Sequence, residues 1–221
     1  MHKIVYAIDD DRGVRMMLSS LLEDWGIAVR PFAGGGDFLA ELAHLTPGCI
    51  LLDLRMPKID GMEVLRELVA RGIAWPVIVI TAHGGVAEAV EAMRLGALNF
   101  IEKPFDNDAL EHALHEGFES LQQLLIATEA RDAALVKLAL LTGREREVLD
   151  LALTGKSNRE ISLELGVSPR TTEMHRSNLL RKLGAQKLSE VLHTLASAQS
   201  EEPQLRRSQQ AYVPRRGSEL N

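Results

Sequence analysis

Acidic, hydroxyl and basic side chains follow the apolar segments of this chain at the points where those segments end. Asp9 and Asp10 follow the first segment, Asp53 the third, Thr81 the fourth and Lys103 the fifth. Three carboxylates in one place repel each other unless a cation joins them, and a hard, oxygen-preferring ion such as Mg²⁺ suits that group. A carboxylate beside such an ion can attack a phosphoryl group and form an acyl phosphate. The residue types therefore predict a site for phosphoryl transfer.

The predicted cofactor is Mg²⁺, held at the ends of the first and third segments. Asp10 and Asp53 are the predicted direct ligands, because Mg²⁺ keeps several waters and uses only one or two carboxylates. Asp9 is predicted to hold a coordinated water, and the main-chain carbonyl of Arg55 lies nearby in sequence. The nucleophile for a phosphoryl group is then Asp53.

A positive charge and a hydroxyl group complete the predicted site. Phosphoryl transfer depends mainly on charge neutralisation and in-line placement, to which Lys103 contributes an ammonium and Thr81 a donor. Each residue alone has an ordinary explanation, since a threonine at a strand end often caps a helix and a lysine before proline often lies in a solvated turn. Their occurrence together at successive segment ends makes the phosphoryl-transfer interpretation the more specific one.

The apolar segments must be the strands that bring these residues together. They are short, they alternate with segments of helical periodicity, and they cover residues 3–8, 27–31, 49–52, 76–80 and 98–101, of which 76–80 is strongly β-branched. The helical segments between and after them cover residues 14–25, 37–45, 61–71, 86–95 and 106–125. This alternation predicts an α/β fold with a doubly wound, five-stranded parallel sheet, whose strands place ligands at their C-terminal ends.

Length and composition limit the other readings of the chain. At 221 residues it suits two small domains, and 46% hydrophobic with 25% charged residues is typical of globular proteins. No apolar stretch approaches the ~20 residues of a membrane span, and acids come too early for a signal peptide. The single cysteine, Cys49, lies within an apolar run, which predicts a buried, inert thiol. We expect a cytoplasmic protein without a membrane partner.

The charge is divided unevenly along the chain. Residues 1–119 hold 19 acidic and 10 basic side chains, whereas residues 142–198 hold 7 acidic and 9 basic ones. An acidic first module suits cation binding, and a mildly basic second module suits a polyanionic partner.

From residue 141 the pattern becomes entirely helical, which predicts a small all-α second domain. The predicted helices cover residues 144–154, 158–165, 169–183 and 187–197, and Ser168 with Pro169 is a typical helix start. We predict a first domain over 1–120, a helical linker over 121–141, a second domain over 142–198 and a disordered tail over 199–221. Residues 126–141 suit either a separate linker or an extension of the preceding helix.

Four motifs of the first module resemble the receiver domain of two-component response regulators, which has a flavodoxin-like fold. They are IDDD at 8–11, LLDLRMP at 51–57, ITAHG at 80–84 and NFIEKPF at 99–105. The resemblance implies that Asp53 accepts a phosphoryl group from a sensor histidine kinase. It also implies that Thr81 and Phe100 form a switch, that the bond from Lys103 to the following proline is cis, and that Arg55 and His83 tune the phosphate lifetime.

The second module, residues 141–184, resembles the LuxR/FixJ-type helix-turn-helix, which the NarL-like regulators share. Recognition helices of this kind read the major groove near their N-termini. The resemblance implies three residues toward base edges, namely Glu173, Met174 and Ser177. Four others suit phosphate contacts, which position the helix without reading sequence: Arg170, Thr171, Arg176 and Lys182.

Together the two modules resemble the FixJ subfamily of transcriptional regulators. That resemblance implies phosphorylation of Asp53, homodimer formation on phosphorylation, and binding of promoter DNA beside RNA polymerase. One alternative is a DNA-binding regulator whose receiver is only a dimer scaffold. A second is an aspartyl-phosphate phosphatase, but such enzymes of the haloacid-dehalogenase type carry a second aspartate where this chain has Arg55. We therefore expect a regulator and not an enzyme.

Overall fold

The computed structural model describes residues 3–82, 85–191 and 195. These residues form two compact units that meet in sequence between Leu124 and Leu125. In the first unit the elements are β1 (Ile4–Ile8), α1 (Arg12–Asp24), β2 (Ala28–Phe32), α2 (Gly35–Glu41), β3 (Cys49–Leu52), α3 (Gly61–Ala70), β4 (Val77–Thr81), α4 (Val86–Arg94), β5 (Asn99–Glu102) and the start of α5 (Asn107–Ala139).

The five strands form one parallel sheet in the order β2-β1-β3-β4-β5. The predicted fold class is confirmed, and the strand limits differ from the prediction by one residue at most at each end. Pairing of Ile8 with Leu52, and of Thr81 with Glu102, brings the ends of neighbouring strands to one edge of the sheet. The acidic, hydroxyl and basic side chains therefore lie at that edge.

The core of the first unit lies between the sheet and its helices. Tyr6 stacks on Trp75 with 5.6 Å between ring centroids, and its hydroxyl donates to the carbonyl of Thr46 at 2.6 Å. Cys49 is fully buried in β3, and burial raises the pKa of its thiol to about 12. A thiol that stays protonated at neutral pH is a poor nucleophile, as its position in an apolar run predicts.

The second helical segment differs from its predicted extent. The predicted helix over 37–45 is observed as α2, Gly35–Glu41, followed by a 3₁₀ turn at Leu42–His44. Gly35, the first residue of α2, packs closely on α3, and a Cβ added there would lie 2.5 Å from a methyl group of Val64.

The last helix of the first unit continues without a break into the second. α5 covers 33 residues, Asn107–Ala139, so residues 126–139 extend this helix. The stretch contains no glycine or proline and is rich in alanine and leucine, which favour helix continuation. The domain limits at 120, 141 and 198 stay predictions, and the predicted tail over 199–221 lies outside the described residues. No helix in the described part of the chain is long and apolar enough to cross a membrane.

The second unit is helical, as predicted. After α5 it contains α6 (Gly143–Leu153), α7 (Asn158–Leu165) and α8 (Pro169–Leu183), and residues 188–191 are also helical. Thr142, Ser157 and Ser168 cap the three helices, each accepting a hydrogen bond from a backbone N–H in the first turn. The buried core includes Leu149, Ile161, Leu179 and Leu183, and Leu165 is partly buried against them.

A buried ion pair joins α8 to the start of α6. Lys182 donates to Glu145 at 2.6 Å and to the carbonyl of Leu140 at 3.1 Å. Burial would raise the pKa of Glu145, but hydrogen bonds from Lys182 and Thr142 outweigh it, so this pKa lies below its ordinary value. The carboxylate therefore stabilises the fold above its ordinary pKa, and that stability is lost as the pH falls through the lowered value.

Because the buried hydroxyl of Thr172 lacks a hydrogen-bond partner among the described residues, we expect its replacement by an apolar group to stabilise the second unit. The side chain of Thr172 is fully buried in α8. Because Val has the same shape without the hydroxyl, Thr172→Val should raise the free energy of unfolding of the second unit by about 1 kcal/mol. Urea unfolding of the full chain, followed by amide hydrogen exchange in α8, measures this change. Thr171→Val is the control, because that hydroxyl lies 2.8 Å from Ser168 Oγ and its loss should not stabilise. A lower stability of Thr172→Val than of wild type would contradict the prediction.

Candidate functional site

The ends of β1 and β3 bring three carboxylates together. Asp9 and Asp53 are buried, at 3% and 7% exposure, whereas Asp10 is exposed. One oxygen from each of the three carboxylates lies within 4.8 Å of the others. The backbone N–H of Asp53 donates to the carbonyl of Ile8 at 2.9 Å, which fixes β3 beside β1 at this edge. The predicted acidic cluster is thus assembled by the sheet itself.

Asp9 is held in place by the start of α1. Its Oδ1 accepts the backbone N–H of Asp11 at 2.8 Å, and its carbonyl accepts Arg15 Nη1 at 2.5 Å. Asp11 in turn caps α1 by accepting the N–H of Gly13 at 2.6 Å. Asp11 and Arg15 are not among the predicted site residues. The N-cap of Asp11 could have been found from its place before a helical period.

Lys103 reaches both buried carboxylates from the end of β5. Its Nζ lies 2.6 Å from Asp9 Oδ2 and 3.5 Å from Asp53 Oδ1. Its backbone N–H donates to the carbonyl of Thr81 at 2.8 Å, and the bond from Lys103 to Pro104 is cis, as the resemblance implies. Asp9 and Asp53 are buried side by side, and the single ammonium group of Lys103 compensates part of their negative charge.

The pKa of Asp53 is raised above its ordinary value. The largest cause is burial, and the neighbouring charge of Asp9 adds to it. The charge and hydrogen bond of Lys103, together with a hydrogen bond to the side chain of Thr81, act in the opposite direction. Asp53 is thus a carboxylate whose charge is poorly solvated, which favours its reaction or its coordination to a cation.

The loop after β3 folds tightly against Asp53. A Cβ on Gly61 would lie 2.4 Å from the carbonyl oxygen of Asp53, so only glycine fits at the start of α3. The N–H of Gly61 donates to the carbonyl of Leu54 at 3.0 Å, and Asp60 and Glu63 form a capping box. The side chain of Arg55 leaves this loop and forms an ion pair with Glu88 on α4.

The two predicted switch residues occupy different environments. Thr81 is fully buried at the end of β4, and Phe100 is partly buried on β5 against the core. His83 lies outside the described residues. The switch role of Thr81 and Phe100 stays a prediction at this point.

The donor set of the acidic edge fits Mg²⁺. It consists of hard carboxylate oxygens from two strand ends, and the exposed side chain of Asp10 leaves one side open for the waters that Mg²⁺ keeps. Chemically, the edge combines buried carboxylates, a candidate cation site and an ammonium group, which is the set that phosphoryl transfer requires.

In the second unit, the predicted DNA-contacting residues of α8 fall into two groups. Four are exposed: Arg170, Glu173, Met174 and Ser177. The other three are partly buried and have partners within the unit: Thr171 with Ser168, Arg176 with Asn158 at 2.7 Å, and Lys182 with Glu145 at 2.6 Å. The periodicity of the sequence predicts which residues of α8 face outward, but it does not reveal which of them bind other residues of the unit.

A parallel α/β unit with an acidic, lysine-containing edge, followed by a unit with a capped helix-turn-helix, defines a signal-receiving DNA-binding protein. Residues 5–115 match the response regulator receiver domain family, and residues 139–195 match the luxR family of bacterial regulatory proteins. The chain belongs to the FixJ-like two-component response regulators, which carry a LuxR-family DNA-binding domain.

Individual relatives and solved structures agree with this assignment. The chain is 43% identical to the transcriptional regulatory protein FixJ of Azorhizobium caulinodans over 188 residues, covering 85% of this chain and 89% of FixJ. It is 40% identical to the C4-dicarboxylate transport transcriptional regulatory protein DctR of Rhodobacter capsulatus, covering 85% of this chain and 96% of DctR. The structure of the response regulator StyR is similar with a TM-score of 0.78 and 35% identity, covering 88% and 98% of the two chains.

Membership of this family supports several of the predictions made from the sequence. The relatives are transcriptional regulators, so the chain is a regulator and not an enzyme. The pocket of Asp9, Asp10 and Asp53 is a typical Mg²⁺ site of receiver domains. A response regulator also implies a kinase partner and DNA binding.

The raised pKa of Asp53 predicts that this site lowers the stability of the first unit. Asp53→Asn removes a poorly solvated charge and leaves Lys103 paired with Asp9, so it should raise the melting temperature by about 2–4 °C without Mg²⁺. The gain should be largest at neutral pH. It should vanish in acid, because a raised native pKa makes the wild type relatively more stable once Asp53 is protonated.

Thermal unfolding with and without Mg²⁺ tests this prediction. Mg²⁺ should stabilise the wild type more than Asp53→Asn, because the variant lacks one of the three carboxylates. A variant that is less stable than wild type at neutral pH without Mg²⁺ would contradict it.

Proposed function

We propose that a sensor histidine kinase phosphorylates this chain on Asp53 in the cytoplasm, and that phosphorylation makes it a dimeric, promoter-binding transcription factor. The observation that carries the proposal is the convergence of Asp53, Asp9, Asp10 and Lys103 at one sheet edge, in a chain that also holds a LuxR-family unit.

In the chemical step, a carboxylate oxygen of Asp53 attacks the phosphorus of a phosphohistidine. The phosphorus–nitrogen bond breaks as the new phosphorus–oxygen bond forms, and the histidine ring of the kinase leaves. Asp9, Asp10, Asp53 and the main-chain carbonyl of Arg55 would hold Mg²⁺, which when bound neutralises charge on the transferred group. Lys103 already lies 3.5 Å from Asp53 and is placed to neutralise one phosphoryl oxygen.

Phosphorylation then changes the partners of the buried switch residues. Thr81, which hydrogen bonds to Asp53 in this structure, turns its hydroxyl toward a phosphoryl oxygen. The space that Thr81 leaves is filled by Phe100, which is only partly buried now. Each change favours the other, so phosphorylation shifts a two-state equilibrium.

The surface of α4 and β5 is the proposed dimer interface of the first unit. Val86, Val90 and Met93 of α4 are exposed, by 83%, 45% and 42%. Apolar side chains that stay exposed together on one short helix suit a surface that a second copy covers. The dimer places two recognition helices on half-sites about one helical turn apart.

The second unit reads DNA through the N-terminal part of α8. Glu173, Met174 and Ser177 approach base edges, where Glu accepts from cytosine and Met contacts a thymine methyl. The proposed phosphate contacts are Arg170, Thr171, Arg176 and Lys182. The last three now bind Ser168, Asn158 and Glu145, so in the complex each must contact both its present partner and the DNA, or exchange one for the other.

RNA polymerase is the proposed further partner at the promoter. The proposed domain limits are 1–120 and 142–198, with a linker between them.

Mass in solution and DNA binding test the phosphorylation switch. With Mg²⁺ and the phosphodonor acetyl phosphate, the wild type should double its mass in light scattering and bind duplex DNA at least about tenfold more tightly, as two linked units allow. Asp53→Ala should do neither. The control is Asp24→Ala, an exposed carboxylate at the end of α1 that should behave as wild type.

The same experiment distinguishes the alternative function. A wild type and an Asp53→Ala chain that are both dimeric, and that bind DNA equally with and without acetyl phosphate, would make the receiver a constitutive scaffold. That result would overturn the proposed phosphorylation switch.

Salt dependence of DNA binding tests the proposed contacts of α8. Arg170→Ala should weaken binding to all duplexes and reduce the slope of log affinity against log salt by about 1, because one phosphate contact is lost. Glu173→Gln should leave that slope unchanged and alter base preference in selection from random-sequence duplexes. An Arg170→Ala chain with the wild-type slope would exclude Arg170 from the phosphate contacts.

A further inference from the structure

The first turn of α4 is connected to the loop that carries Asp53. Glu88 lies in that turn, and its Oε2 accepts the N–H of Gly85 at 3.1 Å. The other oxygen of the same carboxylate, Oε1, forms an ion pair with Arg55. Glu88 therefore joins the start of a helix to a residue only two positions beyond the proposed phosphoacceptor.

α4 has few other attachments to the unit. Of its nine residues only Ala92 is fully buried. Besides the pair of Glu88 with Arg55, a second ion pair joins Glu91 to Arg66 of α3 at 2.7 Å. A helix with so little buried surface depends on such polar contacts for its position.

The side chain of Arg55 is long enough to pair either with Glu88 or with a phosphoryl group on Asp53. The Cα atoms of residues two apart are separated by at most about 7 Å, and an extended arginine side chain spans a similar distance. Phosphorylation adds about −1.5 to −2 charges and three strong acceptor oxygens to Asp53, and guanidinium pairs with phosphate in a bidentate manner. Glu88 offers a single negative charge, and it is partly exposed to solvent.

We propose that the Arg55–Glu88 ion pair is a charge-competition latch: a phosphoryl group on Asp53 draws the guanidinium of Arg55 away from Glu88 and frees the first turn of α4. This inference rests on the proposed function, whose dimer surface includes α4. It assigns to Glu88 a regulatory role that lies outside the phosphorylation site.

The strength of the pair suits a reversible latch. Both side chains are substantially exposed, at 64% for Arg55 and 34% for Glu88, and exposed ion pairs are weak. Breaking the pair is therefore expected to change the affinity for a phosphoryl group about two- to fivefold. A buried pair would be too costly to break in each signalling cycle.

Binding of beryllofluoride, a phosphoryl mimic, to the full chain in the presence of Mg²⁺ tests the latch. ¹⁹F NMR reads the bound and free populations. Glu88→Gln should bind about two- to fivefold more tightly than wild type, because Gln retains the capping interaction while releasing Arg55. Glu91→Gln is the matched control, since it removes the same charge from the next turn of α4 and breaks the pair with Arg66. It should bind as wild type does.

A double-substitution cycle separates the latch from a general effect of charge. In an Arg55→Ala background, Glu88→Gln should have no effect, because the guanidinium that it releases is absent. An equal gain with and without Arg55, or an equal gain from Glu91→Gln, would overturn the latch. So would a Glu88→Gln chain that binds as wild type does.

The outcome for the wild type distinguishes this inference from the proposed function. A wild type that binds beryllofluoride but shows no effect of Glu88→Gln refutes the latch alone. A wild type that fails to bind beryllofluoride at Asp53 refutes the proposed function, and the latch with it.

Discussion

Repulsion among carboxylates at one edge of the sheet is the constraint on which the rest of the first unit depends. The parallel fold brings Asp9 and Asp53 together in a buried position, with Asp10 beside them. Lys103, at the end of the fifth strand, compensates this charge through ion pairs of 2.6 and 3.5 Å. The pKa of Asp53 is nevertheless raised, mainly by burial, which shows that Lys103 compensates the charge only in part. A site left short of positive charge is one that a cation and a phosphoryl group can use, at some cost in stability.

The surrounding backbone keeps these charges close together. Gly61 approaches the carbonyl of Asp53 more closely than any other residue could. Asp11 both caps α1 and donates its N–H to Asp9, so the start of a helix positions a member of the site. The second unit uses similar means, since Glu145 caps α6 and also pairs with Lys182 of α8. In both units, one carboxylate connects a helix start to a distant lysine or arginine.

Much of the fold and of the site could be predicted from the sequence. β1, β3 and β4 were found because buried parallel strands are continuous apolar runs, and the residues that follow Ile8 and Leu52 stand out against them. The edge strands β2 and β5 are less apolar and only partly buried. The predicted extent of one helix was wrong, and the sequence left one stretch open between two structures. α2 covers Gly35–Glu41 and not residues 37–45, and the close packing of Gly35 on Val64 is a tertiary contact that periodicity does not reveal. Residues 126–141 have the composition of either a linker or a continued helix, and local propensity does not separate the two; in the structure α5 continues through Ala139.

The sequence by itself determined which chemical groups stand at the strand ends, because strand, turn and helix signals act over a few residues. It also determined the polar face of α8, which follows from a period of 3.6 residues. Only the tertiary structure decided which charges pair. Lys103 and Asp9 are 94 residues apart, Lys182 and Glu145 are 37 apart, and Arg55 and Glu88 are 33 apart. Such pairs depend on how strands align and helices pack. That arrangement is set by burial of the whole core, and no local pattern of the sequence records it.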